Sequence, residues 1–469
     1  MKIFFLVLAL FYNGICFSQI IQSKLQSGMS KMELDSQFKH ASISLYVVES
    51  KSGQIIFEKN SQMGLAPASC LKVMTSVAAL ELLGKDYRYK TNFSYNGHIS
   101  EKTLYGDLFI TASGDPSFGS WRWDSTKQEA IQQKLLSALK AKSIKKISGN
   151  FIINDSKWSV QTTPKGWTWE DIGNYYGAGA RGVNWHENQY DLFLQPGKNV
   201  GDSVQILQFI PPLYPSVLIN ELITGKQESG DNSVIYLPEN GLLGYVKGTI
   251  PAGNEAFKIS GAMPNASMSF ALEIENFLQK NNINLSGQLK TSISYFLNKE
   301  QLPLANQGLM SIYSPPLDSI NYWFLQKSVN LYGEAFVKTI AYEKTNFGST
   351  DTGIGIITDF WNKNGIEKSA LHIIDGSGLS PANRITTQAL VKAMQYAQKQ
   401  DYYASFYSAL PTQNGIKMKS GYIGGVRSYT GYVTSSSGAE YIFSFIINNF
   451  YGSAGAVREK MWKLLDILK

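Results

Sequence analysis

The chain has 469 residues and a formal charge of +7, with 43% hydrophobic, 17% charged and 13% aromatic residues. That length carries two or three domains, and the apolar content supplies real cores, which excludes a disordered or fibrous chain. Lys and Arg are scattered among Asp and Glu with no basic stripe, which argues against a nucleic-acid partner.

At the N-terminus, Met1-Lys2 precedes the apolar run Ile3–Phe11, with small residues near Cys16-Phe17-Ser18. This pattern predicts a secretory signal peptide over 1–18 and a periplasmic or otherwise extracytoplasmic location. An uncut anchor is the alternative, although the run is short for a membrane span. A lipid-bearing Cys16 is disfavoured, because Ile15 stands where a small residue is expected. No later stretch approaches 18 unbroken apolar residues, so no transmembrane segment is expected in the mature chain. Removal of the signal leaves Cys70 alone and permits no intrachain disulfide; Cys70 reads as buried packing. His40, His98, His186 and His372 are far apart in sequence and show no metal-ligand spacing, so no metal and no cofactor is expected.

Residues 22–40 read as a helix. Ala41–Val48 and Gln54–Glu58 read as strands joined by the turn Ser50-Lys51-Ser52-Gly53. A helix follows Pro67, carries Ser69 and runs to about Leu83, with Gly84 closing it. From Tyr87 the texture becomes short strands between Gly and Asn turns: 91–95, 106–111, 149–153, 190–194 and 203–207, with one helix over 127–141. Helices return over 266–281, 317–326, 331–344, 351–364 and 386–399. Strands over 427–433 and 440–447 and a helix over 454–468 end the chain. Strands at both ends with helices between predict one α/β (α+β) domain, 19–88 plus 266–469, whose sheet is closed by its own termini. Residues 89–265 are then expected to form a β-rich insertion of two subdomains.

Ser69 and Lys72 stand one helical turn apart and can touch. A serine hydroxyl attacks poorly until a base takes its proton, and a desolvated lysine amine is a competent base. Ser-x-x-Lys alone is a weak signal. It gains weight from Ser328-Val329-Asn330 at the join of two helices and from Lys419-Ser420-Gly421 at the opening of a strand. This ordered set is the motif series of class A β-lactamases and penicillin-binding proteins.

With Pro67-Ala68-Ser69, Ser113-Gly114-Asp115-Pro116, Asn330-Leu331 with Glu334, Asp375–Ser380 and Gly425-Val426-Arg427, the chain resembles low-molecular-mass class C penicillin-binding proteins, the D-alanyl-D-alanine carboxypeptidase/endopeptidase family. The likeness covers nearly the whole mature chain, including the wide gap between Lys72 and Ser328. Ser420 stands where threonine is usual, and both offer the same hydroxyl. The resemblance implies a β-lactamase/transpeptidase-like domain, an antiparallel sheet flanked by helices, with β-rich insertions. The implied partners are peptidoglycan stem peptides and β-lactam antibiotics.

It also implies roles. Ser69 attacks the carbonyl between two D-alanines and Lys72 takes its proton. Ser328 passes that proton to the leaving amine, and Asn330 orients Lys72 and the substrate amide. Lys419 and Ser420 hold the terminal carboxylate. Gly421 lets the strand approach the substrate, and the N–H groups of Ser69 and Tyr422 form the oxyanion hole. Trp167–Asp171 with Tyr175-Tyr176 resembles the inserted segment that meets the free amine of the peptide's diamino acid, with Asp171 as the acid and Tyr176 as an apolar wall; a surface-loop acid is the other reading of Asp171. Asp375 reads as the cap of a tight glycine turn. A β-lactamase and a non-catalytic cell-wall binding protein remain the rival functions. The carboxypeptidase to endopeptidase balance and the oligomeric state are open.

Overall fold

The computed structural model describes residues 19–213 and 215–469. The signal peptide expected over 1–18 lies outside the described residues. The chain forms two compact units. One gathers the described residues up to Leu82, Asn321–Ser328 and Ile354–Lys469; the other holds Leu83–Ile320 and Val329–Gly353.

The first unit is built on a six-stranded antiparallel sheet. Its order is Ile55–Lys59, Ser42–Glu49, Glu440–Asn448, Val426–Thr434, Ile416–Ile423, Thr412–Gln413. The N-terminal strand pairs with the C-terminal one without a slip, from Ser42 opposite Asn448 to Glu49 opposite Tyr441, so the two ends of the chain close the sheet. Both of these strands are buried along nearly their whole length, and a single serine, Ser44 in one and Ser444 in the other, interrupts the apolar residues of each buried stretch. Leu25 and Met29 of the helical residues 19–33, with Val457, Met461 and Leu464 of the Ala454–Leu465 helix, pack with Leu45, Val47, Phe443 and Phe445. The Thr387–Ala397 helix is tied to the sheet by polar contacts: Ser44 and Thr387 hydroxyls meet at 2.7 Å, and Tyr432 donates to the Met394 carbonyl at 2.7 Å. In the Leu71–Leu83 helix every residue from Leu71 to Leu80 is buried. Such a helix is enclosed on all sides and shows no amphipathic stripe.

The second unit has a five-stranded mixed sheet in the order Leu289–Thr291, Phe151–Asn154, Leu108–Thr111, Lys90–Tyr95, Gln307–Tyr313. Ile131, Leu135 and Leu139 of the Gln128–Ala141 helix share a core with Phe270, Ile274 and Leu278 of the Ala266–Lys280 helix. Two three-stranded sheets follow in this unit, one around Gln189–Gln195 and one around Leu243–Pro251. They share a separate core that includes Leu192, Leu194, Leu222 and Val246. Among the described residues no helix is long and apolar enough to cross a membrane.

Candidate active site

Ser69 sits on a single 3-10 turn, Ala68–Cys70, immediately before the Leu71–Leu83 helix. The sequence places it on the helix proper; the turn differs because the surroundings force it. Ala68 has φ 44, a left-handed conformation that a residue with a Cβ keeps only where packing over-determines it. Two distant glycines supply that packing. Gly378, itself at φ 82, lies so close that a Cβ there would collide with the Ala68 carbonyl oxygen. A Cβ on Gly421 would stand 2.8 Å from the Ser69 nitrogen and 2.7 Å from the Pro67 oxygen. Ser428 Oγ donates to the same Pro67 oxygen at 2.6 Å.

Lys72 is fully buried one turn beyond the half-buried Ser69. Its Nζ donates to Ser69 Oγ at 3.0 Å and to the Ser377 carbonyl oxygen at 2.6 Å. The Phe324 ring centroid lies 5.8 Å from the same nitrogen. The Ser377 loop is held by Asp375, whose buried carboxylate accepts from the N–H groups of Gly378 at 2.7 Å and Ser380 at 2.6 Å and from the Asn383 amide at 3.0 Å. Thr75 Oγ1 donates to the Gly376 carbonyl at 2.7 Å, which fastens the loop to the helix that carries Lys72. Asp375 is therefore the builder of a turn, and that turn aims a backbone carbonyl at the lysine.

Lys419-Ser420-Gly421 lies within the Ile416–Ile423 strand and does not open it. The strand lies against the Ser69 turn: Cys70 Sγ donates to the Lys419 carbonyl at 3.2 Å. Burial pushes the Cys70 thiol up, as expected of a packed and unreactive cysteine. Lys419 Nζ donates to the Ser420 carbonyl at 2.9 Å. Burial brings its amine down to about 8; the Cys70 thiol opposes this and Arg427 adds to it. Ser420 Oγ accepts from Gln413 Nε2 at 2.9 Å, and the Tyr422 side chain is exposed. Ser328 comes two residues after the Leu317–Gln326 helix that delivers Phe324, and it adopts φ 57.

The other sequence-predicted residues belong to the second unit. Asn330 heads the Asn330–Thr345 helix, and its Nδ2 donates to the Tyr176 carbonyl at 2.7 Å. Asp171 accepts from Thr168 Oγ1 at 2.7 Å, and burial raises its carboxyl above the usual range. Tyr176, on the turn Tyr175–Gly177, is partly exposed, and burial of its hydroxyl pushes it up to about 12. Asn330 and Tyr176 are thus brought together by a direct hydrogen bond, and Asp171 precedes that turn by four residues. Sequence reasoning missed the Ser377 carbonyl, Phe324 and Gln413. Only the Gly376-Ser377-Gly378 stretch carried a signal, as a tight turn.

The D-Ala-D-Ala carboxypeptidase 3 (S13) family model matches residues 25–468. The D-alanyl-D-alanine carboxypeptidase DacB of Haemophilus influenzae is 24% identical over 427 residues, covering 87% of this chain and 85% of that protein. The crystal structure of penicillin binding protein 4 (dacB) from Haemophilus influenzae aligns at a TM-score of 0.79 and 22% identity, covering 95% of this chain and 97% of that one. A second structure of that protein, complexed with a β-lactam, aligns at 0.71 and 22% identity over 91% of this chain and 95% of that one. The mixed α/β fold is shared with both.

Proposed function

The chain belongs to the D-Ala-D-Ala carboxypeptidase 3 (S13) family and is a serine-type D-Ala-D-Ala carboxypeptidase, and we propose that Ser69 is its nucleophile. The observation that carries this reading is the Lys72 amine, buried and 3.0 Å from the Ser69 hydroxyl. The neutral amine takes the hydroxyl proton as Oγ bonds to the carbonyl carbon between two D-alanines. The N–H groups of Ser69 and Tyr422 stabilise the oxyanion, and the closeness of Gly421 to the Ser69 nitrogen supports that pairing. Ser328 relays the proton to the leaving amine, the C–N bond breaks, and terminal D-alanine departs. Water then cleaves the acyl-enzyme ester. Lys419, protonated below about 8, holds the substrate's terminal carboxylate with the help of Ser420. A β-lactam acylates Ser69 and stays, because its opened ring remains attached.

Three roles rest on resemblance alone: Ser328 relaying the proton, Asn330 orienting the substrate amide, and Asp171 with Tyr176 meeting the amine of the peptide's diamino acid. We assign the chain to the periplasm or another extracytoplasmic compartment, with export directed by residues 1–18. Endopeptidase cleavage of cross-linked stem peptides belongs to the same proposal. Mass analysis of purified stem pentapeptide and of cross-linked dimers after incubation tests it. Loss of one D-alanine from the pentapeptide is expected; an unchanged mass would overturn the reading.

A further inference from the structure

The second unit contains a cavity of about 760 Å³, within the usual range for small-ligand sites. Its lining combines apolar surface with a set of side-chain amides. The side-chain amides of Gln128, Gln132, Gln189 and Asn276 all border it, and among the described residues none of them makes a hydrogen bond. Gln132 as a whole is only 8% exposed and borders the cavity. On the same lining, Glu273 Oε1 and His186 Nε2 are buried without a hydrogen-bond partner, and His186 Nε2 stands 3.6 Å from Glu273 Oε2. His186 also begins three consecutive left-handed residues, His186, Glu187 and Asn188, at φ 51, 52 and 52. Backbone strain of this kind persists only where surrounding structure holds it, and it concentrates at functional sites.

The chemistry of the lining selects the ligand. Amide side chains both donate and accept, which matches groups that also do both, namely hydroxyls and acetamides. Charge is balanced, with Lys258 paired to Asp191 at 2.9 Å, so neither a strong anion nor a strong cation is favoured. Trp121 borders the cavity and is 56% exposed, a large aromatic surface of the kind that stacks on an apolar ring face. A sugar ring presents such a face of C–H groups with a rim of hydroxyls.

We propose that this cavity binds a neutral oligosaccharide of N-acetylated amino sugars, with Trp121 under a sugar ring and the amides of Gln128, Gln132, Gln189 and Asn276 on its hydroxyl and acetamido groups. The cavity lining includes none of the residues assigned to the chemistry at Ser69, and the site adds glycan binding to peptide cleavage. It gives the enzyme a hold on the saccharide part of a substrate whose peptide is cut elsewhere.

The test titrates the full chain with the trisaccharide of N-acetylglucosamine by calorimetry, beside Trp121→Ala and Gln132→Ala variants. Each protein is also labelled with a fluorescent penicillin to report its folding and its Ser69 chemistry. Saturable binding to the unaltered chain, weakened about tenfold by Trp121→Ala with labelling intact, is the expected result. Weaker binding of maltotriose, which lacks acetamido groups, is expected as well. No saturable binding, or equal binding by the labelled Trp121→Ala variant, would overturn the proposal. None of these touches the Ser69 assignment; failure of the unaltered chain to label while binding the sugar would sink that one instead.

Discussion

Lys72 Nζ donates to the Ser377 carbonyl oxygen at 2.6 Å across 305 positions of sequence. The lysine that stands beside the candidate nucleophile is therefore located by a loop that contributes no reactive side chain of its own.

The loop's builder is Asp375, so its loss should act on Lys72 from a distance. In Asp375→Ala the N–H groups of Gly378 and Ser380 and the Asn383 amide lose their buried acceptor. A destabilisation of about 3 kcal/mol is expected, together with slower penicillin acylation. Asp375→Asn keeps one carbonyl oxygen and should recover part of both. Denaturant unfolding and stopped-flow labelling of the two variants measure this. Full acylation rate in a stably folded Asp375→Ala would remove the loop from any part in positioning Lys72.

Gly421 leaves no room for a side chain. A Cβ there would crowd the Ser69 nitrogen at 2.8 Å, the Pro67 oxygen at 2.7 Å and the Ser428 hydroxyl. Two of these are backbone atoms, which cannot swing aside. Gly421→Ala should cost about 1–3 kcal/mol of stability by overpacking. It should also slow acylation roughly 100-fold, by displacing an oxyanion donor. Unfolding and acylation measured side by side separate the two effects.

Lys419 makes the pH dependence specific. Burial brings its amine down to about 8, so kcat/KM for peptides ending in a free carboxylate should fall as pH rises through that value. The stability effect runs the other way. A lysine depressed in the folded state is protonated more readily in the unfolded chain, where its value is about 10.4. Between about 8 and about 10.4 the unfolded chain holds more protons, so this group's contribution to stability rises with pH and is smallest below about 8. Lys338, buried and also brought down to about 8, adds to that rise. A Lys419→Met variant should keep part of the stability step through Lys338 and lose the kinetic step. Rate and unfolding profiles across pH 6–11 for both proteins check this.

Much of this arrangement was legible in the sequence. The six-stranded sheet closed by the chain ends follows from apolar runs at both termini, and the helices over 266–281 and 317–326 agree closely with Ala266–Lys280 and Leu317–Gln326. Ser69 and Lys72 meet as their spacing requires. What the spacing could not show is the 3-10 turn under Ser69, because its cause is the pressure of Gly378 and Gly421, more than 300 positions away. The Ser377 carbonyl was invisible for another reason: any residue carries such an oxygen, so nothing in residue type marks it. The helices Ser292–Asn298 and Tyr403–Ala409 escaped notice because each is only 7 residues long, too short for a periodic pattern to register.

Substrate selection offers a test in the second unit. If Asp171 meets the amine of the stem peptide, Asp171→Asn should lose the preference for amine-bearing peptides over acetylated ones while acylation by a simple β-lactam stays unchanged. Burial raises the Asp171 carboxyl, so in the unaltered chain that preference should hold at neutral pH and fade as pH falls through the raised value. Competition between the two peptides, followed by mass analysis, measures it. A preference unchanged in the variant would return Asp171 to a structural acid.

The most direct measurement is covalent labelling with a fluorescent penicillin, followed by peptide mapping, for the unaltered chain, Ser69→Ala and Lys72→Ala. Label is expected on the peptide containing Ser69, none on Ser69→Ala, and a strongly slowed reaction for Lys72→Ala. Persistent label on Ser69→Ala, or a normal rate without the lysine, would contradict the roles assigned to these two residues.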